Sequence, residues 1–228
     1  MRAVVAALTL PLLAGCSEWL FSGESWIDRS RPVVLVETTG GIEPGAATEY
    51  GVLTLGRTAT TGPCRVHYFL GPTPIVETGT LVATGSLFTR AEIDLKTQLA
   101  RVLDRSPTRD DAILAMWTAD GQTTESVWVE LAAVDGIAGD VLADPGRPLP
   151  TGASLLCRSR DGAWLFAGLV AGRATVTGGA AAGDYYVFAG VDRVREMLAV
   201  PARHPVDLQP RYRTDDIRLL KPRPATGQ

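Results

Sequence analysis

Histidine and cysteine are scarce in this chain, two and three in 228 residues, and that scarcity removes whole classes of chemistry. His67 and His204 have no histidine or cysteine partner at metal-ligand spacing, so no metal or structural zinc site is expected. No glycine-rich loop runs into a lysine to cradle phosphate, and no Gly-x-Ser-x-Gly elbow occurs, so the reading includes no cofactor. An excess of positive charge is also lacking. The net charge of −3 offers no basic surface for nucleic acid. The N-terminal apolar run, residues 3–13, is interrupted by Thr9 and Pro11 and falls short of the roughly 20 residues that a spanning helix needs. No repeat of solenoid length is present.

What is there begins with a targeting signal. Arg2 forms a positive n-region, residues 3–13 an h-region, and Leu13-Ala14-Gly15-Cys16 a small-residue cleavage site. This tetrapeptide resembles the lipobox of bacterial lipoproteins, in which the cysteine is acylated and becomes the new N-terminus. The resemblance implies a signal peptide over residues 1–15, lipidation at Cys16 and attachment to a membrane in the cell envelope. Several acyl chains anchor firmly where one alone is marginal. Ser17 stands where aspartate signals inner-membrane retention in many Gram-negative species, so the outer membrane is favoured. An ordinary secretory signal with an incidental cysteine is the competing reading.

Residues 16–31 are polar and mixed, as suits a tether, though Trp19 and Trp26 also suit a lipid interface. Residues 32–200 read as one β-rich domain. Short apolar or alternating segments at residues 33–36, 50–55, 64–70, 75–76 and 79–82 are separated by turns rich in Gly, Pro and Thr, including residues 40–45. Residues 92–99 alternate in polarity and predict a half-buried strand. Further strands are expected at residues 112–117, 127–131, 154–157, 164–170 and 185–188. A helix is expected over residues 191–200, with Val191, Val194, Met197 and Leu198 on one face and Pro201 ending it. Residues 201–228 read as an extended tail, with four prolines and several arginines from 202 onward. Cys64 and Cys157 in an exported protein suit either one disulfide or two buried thiols. A bridge needs Cα atoms within about 7 Å, which the sequence does not fix.

Several segments, in order, carry a second resemblance. Residues 69–82 are similar to the stretch that ends in Leu-Thr-Ala-Ala-His-Cys in trypsin-like serine proteases. Asp110-Asp111-Ala112-Ile113-Leu114 resembles their Asp-Ile-Ala-Leu-Leu. Leu149-Pro150-Thr151-Gly152-Ala153-Ser154-Leu155-Leu156-Cys157 resembles Gly-Asp-Ser-Gly-Gly-Pro-Leu-Val-Cys, and Val187-Phe188-Ala189-Gly190-Val191 their Val-Tyr-Thr-Arg-Val before the closing helix. This implies an all-β, trypsin-like double β-barrel with a shortened second barrel and a C-terminal helix. Another β-sandwich or barrel is the alternative.

Carried over by position, the resemblance puts Thr80 at the general-base histidine, Asp110 at the orienting aspartate and Thr151 at the nucleophilic serine. Threonine cannot serve as the base near neutral pH, and Pro150 lacks an N–H beside the oxyanion hole. The chain therefore reads as a pseudoprotease, a binding or scaffold module whose partner is an envelope protein or peptide. Two alternatives stand beside this reading. One is an active endopeptidase with a displaced triad, Ser154 as nucleophile and His67 or His204 as base. The other is an unrelated β-rich structural lipoprotein. The interval from Asp110 to Thr151 is short for the family, so the second barrel is trimmed or the downstream match is displaced.

Overall fold

The computed structural model describes residues 31–55, 61–70, 73–83, 89–93, 95–121, 123–134 and 140–198. The signal segment, Cys16, nearly all of the tether, His204 and the tail lie outside these residues.

Six strands form a closed barrel: β1 (Val33–Thr38), β2 (Gly41–Thr48), β3 (Gly51–Thr54), β4 (Gly62–Leu70), β5 (Thr73–Ala83) and β6 (Thr89–Glu92), in the order β1-β2-β3-β6-β5-β4. Antiparallel pairing of β1 with β4 closes it. Eight strands make a second sheet: β7 (Arg101–Val102), β8 (Ile113–Thr118), β9 (Thr124–Val129), β10 (Leu131–Ala132), β11 (Asp140–Ala143), β12 (Ser154–Arg158), β13 (Trp164–Val176) and β14 (Gly183–Gly190). Its order is β10-β11-β14-β13-β12-β8-β9, with β7 joining β13 in parallel. Among the described residues this sheet ends in two edges, β9 and β10. Helix α1 (Val191–Leu198) follows, burying Val191 and Val194, with Met197 and Leu198 packed against the same core.

The unbroken apolar run at residues 33–36 has a structural cause. Val34 and Val36 fill the barrel interior with Ala47, Val52, Val66, Tyr68 and Leu81. Val33, with Ala46 and Leu53, faces the other way, into the core of the second sheet. A strand buried on both faces has no polar face to alternate with.

Several elements differ from the sequence-based expectation. Residues 41–45 belong to β2 and only Gly40 lies in the turn before it; Pro44 fits the strand because it pairs only with Leu35 and lies before β3 begins pairing at Ala46. A proline there has no second neighbouring strand that needs its missing N–H. The two short segments in residues 75–82 are one strand, β5. Strand β11 was not foreseen. Of residues 92–99, only Glu92 lies in a strand, the end of β6. Beyond it, Ile93 and Leu95 pack on the barrel core while the Thr97 hydroxyl donates to the Phe69 carbonyl at 2.7 Å. Their alternation reflects a segment packed without a strand ladder.

Candidate functional site

The chain before β12 turns tightly where the resemblance puts the nucleophile. Ala153 N–H donates to the Pro150 carbonyl at 3.1 Å, and Gly152 sits at φ +88°. The third residue of such a turn needs positive φ, and glycine supplies it without strain. Gly152 N–H donates to the Val170 carbonyl at 2.8 Å, holding the turn on β13. A side chain at Gly152 would have its Cβ only 2.7 Å from the Pro44 carbonyl oxygen of the first barrel. The turn is therefore pressed against β2 and fixed on both sides.

Thr151, half-buried, occupies the second position of this turn. Two residues earlier, Leu149 N–H donates to the Tyr186 hydroxyl of β14 at 3.2 Å, in buried surroundings. Ser154, the alternative nucleophile, is 1% exposed, and its hydroxyl donates to the Gly45 carbonyl at 3.1 Å. That bond joins the barrels, so the Ser154 hydroxyl has a structural partner.

The other expected site residues lie elsewhere. Thr80 is exposed on β5, opposite Pro63 and Glu92, its neighbour Leu81 pointing into the barrel. Asp110 is exposed just before β8, so it leads into the second sheet and does not share the first barrel with Thr80. The short interval from Asp110 to Thr151 is thus the length of β8 to β11 and their connections. His67 lies on β4, where its Nε2 is 2.9 Å from the Glu37 carboxylate of β1, which also accepts from Arg65 at 3.1 Å. The hydrogen bond from His67, above all, holds the Glu37 carboxyl below its usual range. On its second-sheet side the His67 ring packs beside Gly121.

The buried acid is Asp111, the neighbour of Asp110. It is 8% exposed, and its two oxygens take 2.7 and 3.0 Å hydrogen bonds from the Arg105 guanidinium. Thr108 adds its backbone N–H at 2.6 Å and its hydroxyl at 3.0 Å. Burial works to raise the Asp111 pKa, but Arg105 and Thr108 outweigh it, and the carboxyl titrates below its usual range. This pair locks the loop between β7 and β8 of the second sheet.

Cys64 and Cys157 do not form the bridge that an exported protein allows. Both are free and buried, Cys64 inside the first barrel and Cys157 in the core of the second sheet. Burial, reinforced by the Asp111 charge, pushes the Cys157 thiol up to about 12.

Two features escaped the sequence reading. Strand β3 ends in Leu53-Thr54, and the chain continues Leu55-Gly56-Arg57-Thr58, a second stretch similar to Leu-Thr-Ala-Ala-His-Cys, with Arg57 in the histidine's place. The Leu-Thr pair at the end of a strand of the first barrel was the available signal. The second is β9, an edge strand whose outward face carries Trp128, 63% exposed. Nothing in the alternation of residues 124–129 marks the strand as an edge.

No protein-family model matches the sequence, and no curated protein matches it. Solved structures do. The chain is similar to kallikrein-related peptidase 10 in complex with Zn2+, at 11% identity, covering 76% of this chain and 96% of that one with a TM-score of 0.53. It is also similar to the MamO protease domain from Magnetospirillum magneticum in its apo form, at 15% identity, covering 74% and 96% with a TM-score of 0.50. A closed six-stranded barrel, a second sheet and a closing helix, in this order and at this coverage, are the fold of the trypsin-like serine proteases.

Proposed function

We propose that this protein is a lipid-anchored envelope lipoprotein whose trypsin-like domain binds an extended peptide or protein segment and does not cleave it. The observation that carries this reading is the turn at residues 149–154. In the family alignment, Leu149 and Thr151 supply the backbone N–H groups of the oxyanion hole. Leu149 N–H points inward to Tyr186, and Pro150 between them has no N–H to offer. Stabilisation of a developing oxyanion, the largest contribution to acyl transfer in this fold, lacks a donor.

The base position supports the same reading under either alignment. Thr80 is a hydroxyl, and Arg57, the placement that the end of β3 favours, is a guanidinium that stays protonated and accepts no proton. His67, the histidine among the described residues, is engaged by Glu37. Ser154, the nucleophile of the active alternative, is buried and bonded to Gly45.

Binding needs none of these groups. The outer edge of β9 offers backbone donors and acceptors, and Trp128 beside it provides a large apolar contact of the kind that dominates recognition. Lipid on Cys16 keeps this surface at the membrane, the outer membrane by the Ser17 analogy.

The test uses the processed protein with a library of extended peptides, read for both capture and cleavage. Capture without cleavage is expected, weakened about tenfold or more by Trp128→Ser, as for an interfacial anchor residue. Peptide hydrolysis by the pure protein would overturn the reading. In cell fractionation, Cys16→Ala is expected to move the protein to the soluble fraction, and continued sedimentation with membranes would remove the anchor.

A further inference from the structure

We infer that the domain's partner is an uncharged, extended segment of about five residues that pairs antiparallel with the outer edge of β9, its first side chain a large apolar one opposite Trp128. This rests on the binding role proposed above and names the chemistry of what is bound.

Hydrogen bonding around β9 fixes which of its groups stay open. Residues 124–129 pair on one side with β8, from Thr118↔Thr124 to Ile113↔Val129, without a register shift. Just beyond, Glu130 turns its carbonyl the other way and accepts from Ala143 N–H of β11 at 2.9 Å. Leu131 and Ala132 then pair with β11. Backbone groups of alternate residues point to the same side of a strand. Trp128, Ser126 and Thr124 therefore direct their N–H and C=O groups as Glu130 does, away from β8. Among the described residues no strand continues β11 along them.

The cause lies in the chain after β11. Continuing the β10–β11 register would bring Asp144 opposite Val129 and Pro145 opposite Trp128. Proline has no N–H for that ladder. Asp144 Oδ1 instead accepts from Gly146 N–H at 2.9 Å, and Gly146 has φ +72°, so the chain turns off the sheet. The second sheet is thus joined at Glu130 and parted along residues 124–128. A strand entering there takes the course that β11 gives up, which makes it antiparallel to β9. A second copy of this chain would have to bring its own β11 and residues 144–147 along with its β9, and a lone strand does not.

The exposed side chains of β9 select the segment. Thr124, Ser126 and Trp128 stand on the outer face, and Trp128 is 63% exposed. Side chains directly opposite in an antiparallel pair lie about 5 Å apart on one face. Read from its N-terminus, the segment sets its first residue against Trp128 and its third and fifth against Ser126 and Thr124. A large apolar or aromatic residue suits the first place, and small or hydroxyl-bearing residues suit the other two. Glu125, the charged residue of β9, is paired with Arg147, whose guanidinium stacks over the Trp117 ring at 5.3 Å. With that charge matched, an ionised residue of the segment would lose water without gaining a partner.

The test uses the full processed protein and the peptide Phe-Val-Thr-Val-Thr, capped at both ends, with binding followed by calorimetry. Replacing Phe by Lys, or N-methylating the first or third residue, is expected to weaken binding about tenfold. N-methylation of the second or fourth residue, whose N–H groups face away from β9, is expected to change affinity less than about twofold. A photo-cross-linking benzoylphenylalanine in place of Thr124 is expected to label the peptide. Equal effects of methylation at odd and even residues would overturn the pairing, and a preference for charged peptides would overturn the segment's chemistry; either leaves the binding role standing. Cross-links that persist to a second copy, or to residues 201–228, under saturating peptide would overturn the choice of occupant. Failure to bind any extended peptide would remove the binding role, and this inference with it.

Discussion

Gly152 shows how one residue ties the two barrels together. Its positive φ and the 2.7 Å approach of the Pro44 carbonyl to any added Cβ both exclude a side chain. Gly152→Ala is therefore expected to destabilise the domain by about 1–3 kcal/mol, measured by urea unfolding. Asp111 makes a different point. Its carboxylate is buried and fully bonded, so Asp111→Ala removes the hydrogen bonds from Arg105 and Thr108 and is expected to destabilise the domain by about 1–3 kcal/mol. Because its pKa is lower folded than unfolded, Asp111 adds stability above the unfolded value, and that stability is lost as pH falls through the folded one. The acid limb of the wild-type stability curve should accordingly exceed that of Asp111→Asn. The sequence reading singled out Asp110 here, because a motif match does not tell which of two adjacent acids turns inward.

At the scale of elements, the apolar runs at residues 33–36, 154–157 and 164–170 were legible because strands buried on both faces carry no polar residues to obscure them. Strand β2 was not, since Gly41, Pro44 and Gly45 carry turn chemistry although the chain there is extended. Glycine at position 45 is a packing requirement: an added Cβ would lie 2.7 Å from the Leu53 carbonyl oxygen. The contrast along β2 is testable. Ala46 pairs with Val33 on one side and Leu53 on the other, whereas Pro44 pairs with Leu35 alone. Ala46→Pro is expected to abolish cooperative folding in a thermal melt followed by circular dichroism, because proline is excluded from central strands. Pro44→Ala is expected to keep the cooperative transition.

For the whole molecule, the order of segments carried the fold, and the solved structures agree with it at 11% and 15% identity. The site was less legible. Its residues come together only through the packing of one barrel on the other, and the sequence does not state which N–H groups that packing turns inward. Leu149 N–H on Tyr186, Ser154 on Gly45 and His67 on Glu37 are all contacts between distant parts of the chain. Together these contacts tie strands of the trypsin-like fold to one another, and they occupy groups that the proposed non-cleaving function leaves out of chemistry. The most direct test of the non-cleaving function is labelling of the intact protein with a serine-directed fluorophosphonate. The account predicts no labelling above that of heat-unfolded protein, whereas strong labelling that disappears in Ser154→Ala or Thr151→Ala would contradict it.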